Sequence, residues 1–199
     1  MAEDQKRFEA AYSRGEKPWD SGVVSVELRS ALDAGLLPGR TAFEFGCGTG
    51  TNAIALAKHG FAVTAADFVA SAVETARENA RAAGVEIDFR TGDITQMDLP
   101  GPYDVLFDRG VYHHIRTVNL AGFLEMLERA TLPNARWLSL AGNAKEQSAY
   151  GPPRVHEHEL RKELEPLFEI LDLHEFRFGT DRDEFRPLAW SILMRRRPY

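Results

Sequence analysis

The run Phe43-Glu44-Phe45-Gly46-Cys47-Gly48-Thr49-Gly50 sets an acid before three glycines at alternate positions. A turn made of glycines lets a ligand approach the backbone with no Cβ in the way. The spacing is G-x-G-x-G, with Thr51 where a dinucleotide-binding turn would want its third glycine. Glu44 stands just before the turn, and a carboxylate there suits an ammonium group better than a pyrophosphate. Asp67 follows about 20 residues beyond the turn, where an acid can accept hydrogen bonds from ribose hydroxyls.

Together these features describe a ligand with an adenosine end and a cationic amino-acid end, which is S-adenosylmethionine. Each residue also has a plainer role open to it: Glu44 as a strand-end acid, Asp67 as a helix N-cap, Asp93 as a turn residue. Cys47, inside the turn, has small neighbours and no obvious activating base, so it reads as a packed residue and not as a nucleophile.

The elements that must hold these residues alternate along the chain. Apolar strand-like runs occur at 41–45, 61–65, 85–90, 103–107, 136–141, 168–176 and 188–195. Helical patterns lie at 3–13, 23–34, 49–59, 70–83, 118–130 and 155–165; Gly60 and Gly84 close two of them and Pro166 stops the last. This alternation predicts an α/β architecture: one Rossmann-like, doubly wound sheet of about seven strands, mostly parallel, with an antiparallel C-terminal strand. Residues 177–186 read as a hairpin connection. Residues 145–153, rich in Gly and Pro, follow the fifth strand and are well placed to cover a site at the carboxyl ends of the strands, or to serve as a surface connection.

Glu44-x-Gly46-x-Gly48-x-Gly50 resembles motif I of the class I S-adenosylmethionine-dependent methyltransferases. The resemblance implies a cofactor site made of Gly46, Cys47, Gly48 and Gly50 with Glu44, and Asp67 as its ribose-binding acid. It further implies Phe68 packed on adenine, Gly92-Asp93-Ile94 at the adenine amino group, and Asp108 facing the methionine moiety and the methyl group. Asp108-Arg109-Gly110 is similar to a segment of the thiopurine methyltransferase and tellurite-resistance branch. Pro18-Trp19-Asp20 is similar to that branch's cofactor-capping segment, although Ser21-Gly22 departs from its pattern. The chain is thus expected to be one methyltransferase domain, with residues 1–40 as a helical cap on a core of 41–199.

Acceptor chemistry is expected after the fourth strand. His113 or His114 is a candidate general base, since histidine titrates near neutral pH, and adjacent helical residues point in different directions, so at most one faces the site. Arg109 is a candidate partner for an anionic acceptor, or a salt-bridging residue of the loop. Trp19, Phe68 and Tyr112 are candidates for an apolar wall. A thiol acceptor needs less help than a hydroxyl, because its pKa lies near the operating pH, so S-methylation is slightly favoured over O-methylation. No metal is expected: Asn143 after the fifth strand lacks the paired Asp of magnesium-dependent catechol methyltransferases, and His156-Glu157-His158 has no third ligand at a recognisable spacing.

The acidic balance, 24 basic against 30 acidic residues for a net charge of −6, argues against nucleic-acid partners, and Arg195-Arg196-Arg197 reads as a solvated tail. A single cysteine forbids an internal disulfide, and no apolar run reaches the roughly 20 residues of a membrane helix. The expectation is a cytoplasmic enzyme with a small-molecule acceptor and no membrane partner. Two other function classes compete: a non-catalytic sensor of S-adenosylmethionine, and a nucleotide-dependent oxidoreductase, which Glu44 and Thr51 disfavour.

Overall fold

The structure, a computed structural model, describes residues 2–16, 19–179 and 186–198, with the side chains of residues 2–4 left aside. Pro18 of the Pro-Trp-Asp segment and residues 180–185 of the expected hairpin connection lie outside the described residues.

Seven strands form one sheet: β1 (Thr41–Phe45), β2 (Ala62–Asp67), β3 (Asp88–Thr91), β4 (Tyr103–Arg109), β5 (Thr131–Gly142), β6 (Phe168–Arg177) and β7 (Leu188–Arg196). Their order is β3-β2-β1-β4-β5-β7-β6. The first five pair in parallel, and β7 runs antiparallel to both neighbours. β2 and β4 flank β1, so the winding reverses between β1 and β4; the crevice outside their carboxyl ends is where such sheets bind ligands.

Side chains alternate across a strand, and this period sorts the core into two layers. Ala42, Val105, Phe107, Leu138 and Leu140 pack with Leu28, Ala53, Leu56 and Ala76 of α2 (Val26–Asp33), α3 (Thr51–Lys58) and α4 (Ala70–Ala83). Phe43, Phe45, Leu106 and Trp137 pack on the other face with Phe123, Leu127 and Leu160 of α5 (Tyr112–Ala130) and α6 (Glu157–Leu164). α1 (Ala2–Arg14) precedes them all.

The largest departure from the sequence pattern is α5, which begins at Tyr112, not at 118. Asn119 has non-helical backbone angles (φ −154°, ψ 67°), so the helix consists of two segments. The apolar period of 120–130 reports only the second. The first starts because Asp108 Oδ2 accepts the Val111 and Tyr112 N–H groups, both at 3.0 Å. A side chain three residues upstream thereby satisfies donors that a helix start leaves orphaned. β5 also starts early, at Thr131 and not at 136.

α5 and α6 are tied by a nearly buried ion pair. Arg116 Nε donates to both Glu163 oxygens at 2.9 and 3.1 Å, and Tyr112 Oη donates to Glu163 Oε2 at 2.7 Å. The Arg116 and Glu163 side chains are 11 and 12% exposed. Removing one partner strands a buried charge, which typically costs more than the intact pair contributes. Arg116→Met is expected to lower the unfolding free energy by about 3–5 kcal/mol in urea titration. Adding Glu163→Gln, which keeps an acceptor for Tyr112, should restore part of that loss.

Candidate functional site

β1 delivers Glu44 to the face shared with α3, directly beneath the glycine turn, where it is 1% exposed. The Asn52 side chain and the Ala53 N–H donate to its carboxyl group. Glu44 Oε2 has no hydrogen-bond partner among the described residues. Burial pushes this carboxyl well above the usual carboxylate range, and the Asp67 and Asp108 charges push it the same way. A buried carboxylate with an open oxygen is costly unless a cation or a donor completes it.

The turn is held by the end of β2. The Gly46 and Cys47 N–H groups donate to the Ala66 carbonyl at 2.7 and 3.0 Å. Asp67 bridges outward: Oδ2 accepts the Gly48 N–H and Oδ1 the Val69 N–H, both at 2.9 Å. Burial raises the Asp67 pKa against these hydrogen bonds. Gly48 has a φ of +52°, which favours glycine, and a Cβ there would press on the Tyr12 hydroxyl, 2.8 Å away. Gly50 instead faces the core, against Ala76 and Phe89. Burial, with the Asp67 and Glu44 charges, raises the Cys47 thiol well above its ordinary value, so Cys47 is a packed thiol.

A small cleft opens above this turn, with about 50 Å³ of enclosed space. Of the residues expected from sequence, Trp19, Glu44, Gly46, Cys47, Gly48 and Arg109 line it. Asp20, named with Trp19 in the expected capping segment, lines it too, and Tyr12 and Asn52 also line it and were not foreseen. Tyr12 lies four residues after Phe8 on α1, an aromatic pair on one helix face, and that spacing is the signal that was available. Phe8 meets Trp19, Phe68 and His114 edge-on at 5.2, 5.5 and 5.8 Å between ring centroids. Trp19 Nε1 donates to the Tyr12 hydroxyl at 3.4 Å, and Thr49 Oγ1 to Asp20 Oδ1 at 2.9 Å.

Phe68, Gly92, Asp93 and Ile94 gather beside Asp67 at the ends of β2 and β3 and do not line the cleft. The Gly92 N–H donates to the Asp67 carbonyl at 3.0 Å, which brings this group against Asp67. Asp93 Oδ1 accepts from the Thr95 N–H and hydroxyl at 2.9 and 2.8 Å, and Ile94 is buried in the α5-side core.

Alternation along β4 separates two expected site residues. Asp108 turns to the Trp137 side, where Trp137 Nε1 donates to Oδ1 at 3.0 Å while α5 occupies Oδ2. It is fully buried, and burial pushes its pKa up to about 6 against these hydrogen bonds. Arg109 turns the other way, into the cleft: Nη1 donates to the Trp19 carbonyl at 2.6 Å and the guanidinium lies 4.8 Å from the Phe178 ring centroid. His113 and His114 lie off the cleft lining. The His113 ring is buried, with Nδ1 accepting the Gly142 N–H at 2.7 Å. Tyr112 is core, not wall. Residues 145–153 do not cover the cleft; Lys145, Glu146 and Gln147 line a separate cavity with Arg177 and Leu188. The segment is pinned there because Glu146 accepts the Leu188 N–H at 2.7 Å and Arg154 donates to the Glu146 and Tyr150 carbonyls.

Among the described residues, no group of three His, Cys, Asp or Glu side chains is gathered as a metal site, and no helix is long and apolar enough to cross a membrane. His156 caps α6 in a reciprocal capping box with Glu159.

The segment after Trp19 enters α2, and α2 is moored to β6. His174 sits with Nδ1 2.6 Å from Asp172 and Nε2 2.9 Å from Glu27. A neutral imidazole has one N–H, so only the imidazolium donates to both carboxylates. Burial lowers its pKa, but the two carboxylates outweigh burial and the net shift is upward.

Three comparisons bear on this geometry. Residues 42–134 match the model of a methyltransferase domain. The chain is 25% identical over 169 residues to a probable thiol methyltransferase 2 of Arabidopsis thaliana, covering 83% of this chain and 75% of that one. It is 36% identical over 91 residues to a ubiquinone biosynthesis O-methyltransferase of Rickettsia conorii, covering 46% of this chain; the chain spans only about a third (31%) of that relative's length. In structure it is similar, with a TM-score of 0.80 and 25% identity, to a protein solved in work on the conversion of a disulfide bond into a thioacetal group during echinomycin biosynthesis; 97% of this chain and 93% of that one align. The mixed seven-stranded sheet with its antiparallel C-terminal strand is thus the Rossmann-like fold of methyltransferases.

The His174 mooring has a defined pH dependence. Its folded pKa is raised, so its stabilisation is fully present below the unfolded value of about 6.5 and is lost as pH rises through the folded pKa. The stability difference between the native chain and His174→Asn, measured by urea titration from pH 5.5 to 9, is expected to shrink with rising pH.

Proposed function

We propose that this chain, whose residues 42–134 carry a methyltransferase domain, transfers the methyl group of S-adenosylmethionine to a small-molecule acceptor, with sulfur slightly favoured over oxygen. The observation that carries the reading is Glu44 Oε2: a buried, incompletely satisfied carboxylate at a glycine turn, complementary to the ammonium of an amino-acid moiety. Asp67 supports it, because each carboxylate oxygen has two lone pairs and the Gly48 and Val69 N–H groups use one apiece. In this reading Glu44 holds the ammonium, the 46–50 turn the backbone-facing edge, Asp67 the ribose, and Phe68 with Gly92-Asp93-Ile94 the adenine. Residues 1–40 act as a cap on the core of 41–199, with Trp19 closing the cleft from above.

The cofactor supplies an already activated methyl group on a sulfonium, so the chain's task is to orient an acceptor and exclude water. The aromatic layer of Phe8, Tyr12 and Trp19 performs the exclusion. Arg109, held at the cleft by the Trp19 carbonyl and Phe178, offers a cation to an anionic acceptor. Asp108 acts through α5, fixing the start of the helix beside the site. Thiol chemistry draws support from the thiol methyltransferase relative, most of whose length the chain covers; oxygen remains the alternative because of the ubiquinone O-methyltransferase match. The thiopurine and tellurite-resistance branch is our closer placement, on the Asp108-Arg109-Gly110 segment, and the cytoplasm our proposed location.

Two measurements test the reading. Glu44→Gln removes the charge while keeping the shape, and is expected to weaken S-adenosylmethionine binding by about 1.5–3 kcal/mol in titration calorimetry. Unchanged affinity would displace the amino-acid end from this site. Release of S-adenosylhomocysteine across thiols, phenols, carboxylates and amines is expected to be fastest with thiols. Binding without release on every acceptor would favour the sensor.

A further inference from the structure

We infer that His113 is a fixed, neutral positioning residue and not a proton acceptor, an arrangement that suits a nucleophile arriving already deprotonated, a thiolate. This rests on the methyl-transfer reading above. His113 Nδ1 accepts the Gly142 N–H at 2.7 Å, so its lone pair is in use and the ring proton is on Nε2. A proton could enter the ring only at Nδ1. It would then face the Gly142 N–H, donor against donor, at a residue 4% exposed. Phe178 meets the ring edge-on at 6.4 Å. The charged or titratable groups acting on it are His114 from its own helix and Arg109 from β4; the contacts from β5 and from the strand end after β6, Gly142 and Phe178, carry no charge. Burial first, then both of these neighbours, lower its pKa to about 3.

The ring is instead a brace. It fixes Gly142 at the end of β5, where a Cβ would collide with the Pro153 carbonyl, and it backs Phe178, on which the Arg109 guanidinium lies. His113 thus acts on the cleft through Phe178 and Arg109. The step it serves needs no proton moved by this ring. The thiolate lone pair forms the new S–CH3 bond as the sulfonium S–CH3 bond breaks, and that electron pair stays on the departing sulfur. The charges −1 and +1 cancel, and the thiol has already lost its proton to water. A thiol with a pKa of about 8.5 reaches this form near neutral pH far more readily than a phenol of about 10.

The test is a nitrogen-15 spectrum of the histidine rings of the full chain from pH 8 to pH 5. One of the six rings is expected to hold the Nε2–H tautomer unchanged, and its signal to vanish in His113→Gln. With a thiol panel, kcat/KM is expected to rise with thiol ionisation. His113→Gln, whose amide oxygen can accept the Gly142 N–H, should fall less than about tenfold with an unshifted pH profile, and His113→Leu further, through KM. Titration of the ring assigned to His113 between pH 6 and 7, or a loss of about 10²–10⁴ in His113→Gln, as for a lost general base, would overturn the inference. Silence on every acceptor would sink the methyl-transfer reading and the thiolate with it, while the nitrogen spectrum still decides the state of His113.

Discussion

Asp67 closes the glycine turn onto the sheet, and the site depends on that closure. Its carboxylate takes the Gly48 N–H with one oxygen and the Val69 N–H with the other, spanning the ends of β1 and β2. Buried backbone donors must be satisfied, and a turn of three glycines has little side chain of its own to do it. A carboxylate from the neighbouring strand fixes a loop that would otherwise sample many shapes. The same device recurs at β4, where Asp108 anchors the start of α5. Two acids therefore shape the crevice between β1 and β4 chiefly by accepting backbone hydrogen bonds, and Glu44 is the third, left with an oxygen to spare.

That division of labour explains how three buried acids coexist. Asp67 and Asp108 are each held by two or more donors, which offset the desolvation that raises their pKa values. Glu44 has its Asn52 and Ala53 donors on the α3 side and, among the described residues, none on Oε2, and it lines the cleft. Arg109 lines the same cleft, held by the Trp19 carbonyl and the Phe178 ring. An acid and a guanidinium in one cleft with aromatic neighbours suit a ligand with charged groups on an apolar body.

The N-terminal segment carries more of the site than its position before the sheet suggests. Phe8 and Tyr12 of α1, with Trp19, build a layer above the turn, and α2 is moored to the far edge strand through His174. The cleft wall thus depends on contacts reaching from residue 8 to residue 174.

The strand–helix alternation, the glycine turn and the acids at strand ends were legible in the sequence because each is a local pattern: a period of 2 or 3.6, a Gly spacing, an acid following an apolar run. They determined the doubly wound sheet and the place of Glu44 and Asp67. The early start of α5 was not legible, since what initiates it is Asp108, a residue counted with the preceding strand. Nor was the opposite orientation of Asp108 and Arg109, which follows from which face of β4 meets α5. Tyr12 joined the site, and residues 145–153 left it, through contacts between segments far apart in the chain. His113 shows the limit most directly. Its type announces a titrating base, but burial and one N–H from Gly142 decide its protonation, and both exist only once β5 and α5 have packed together.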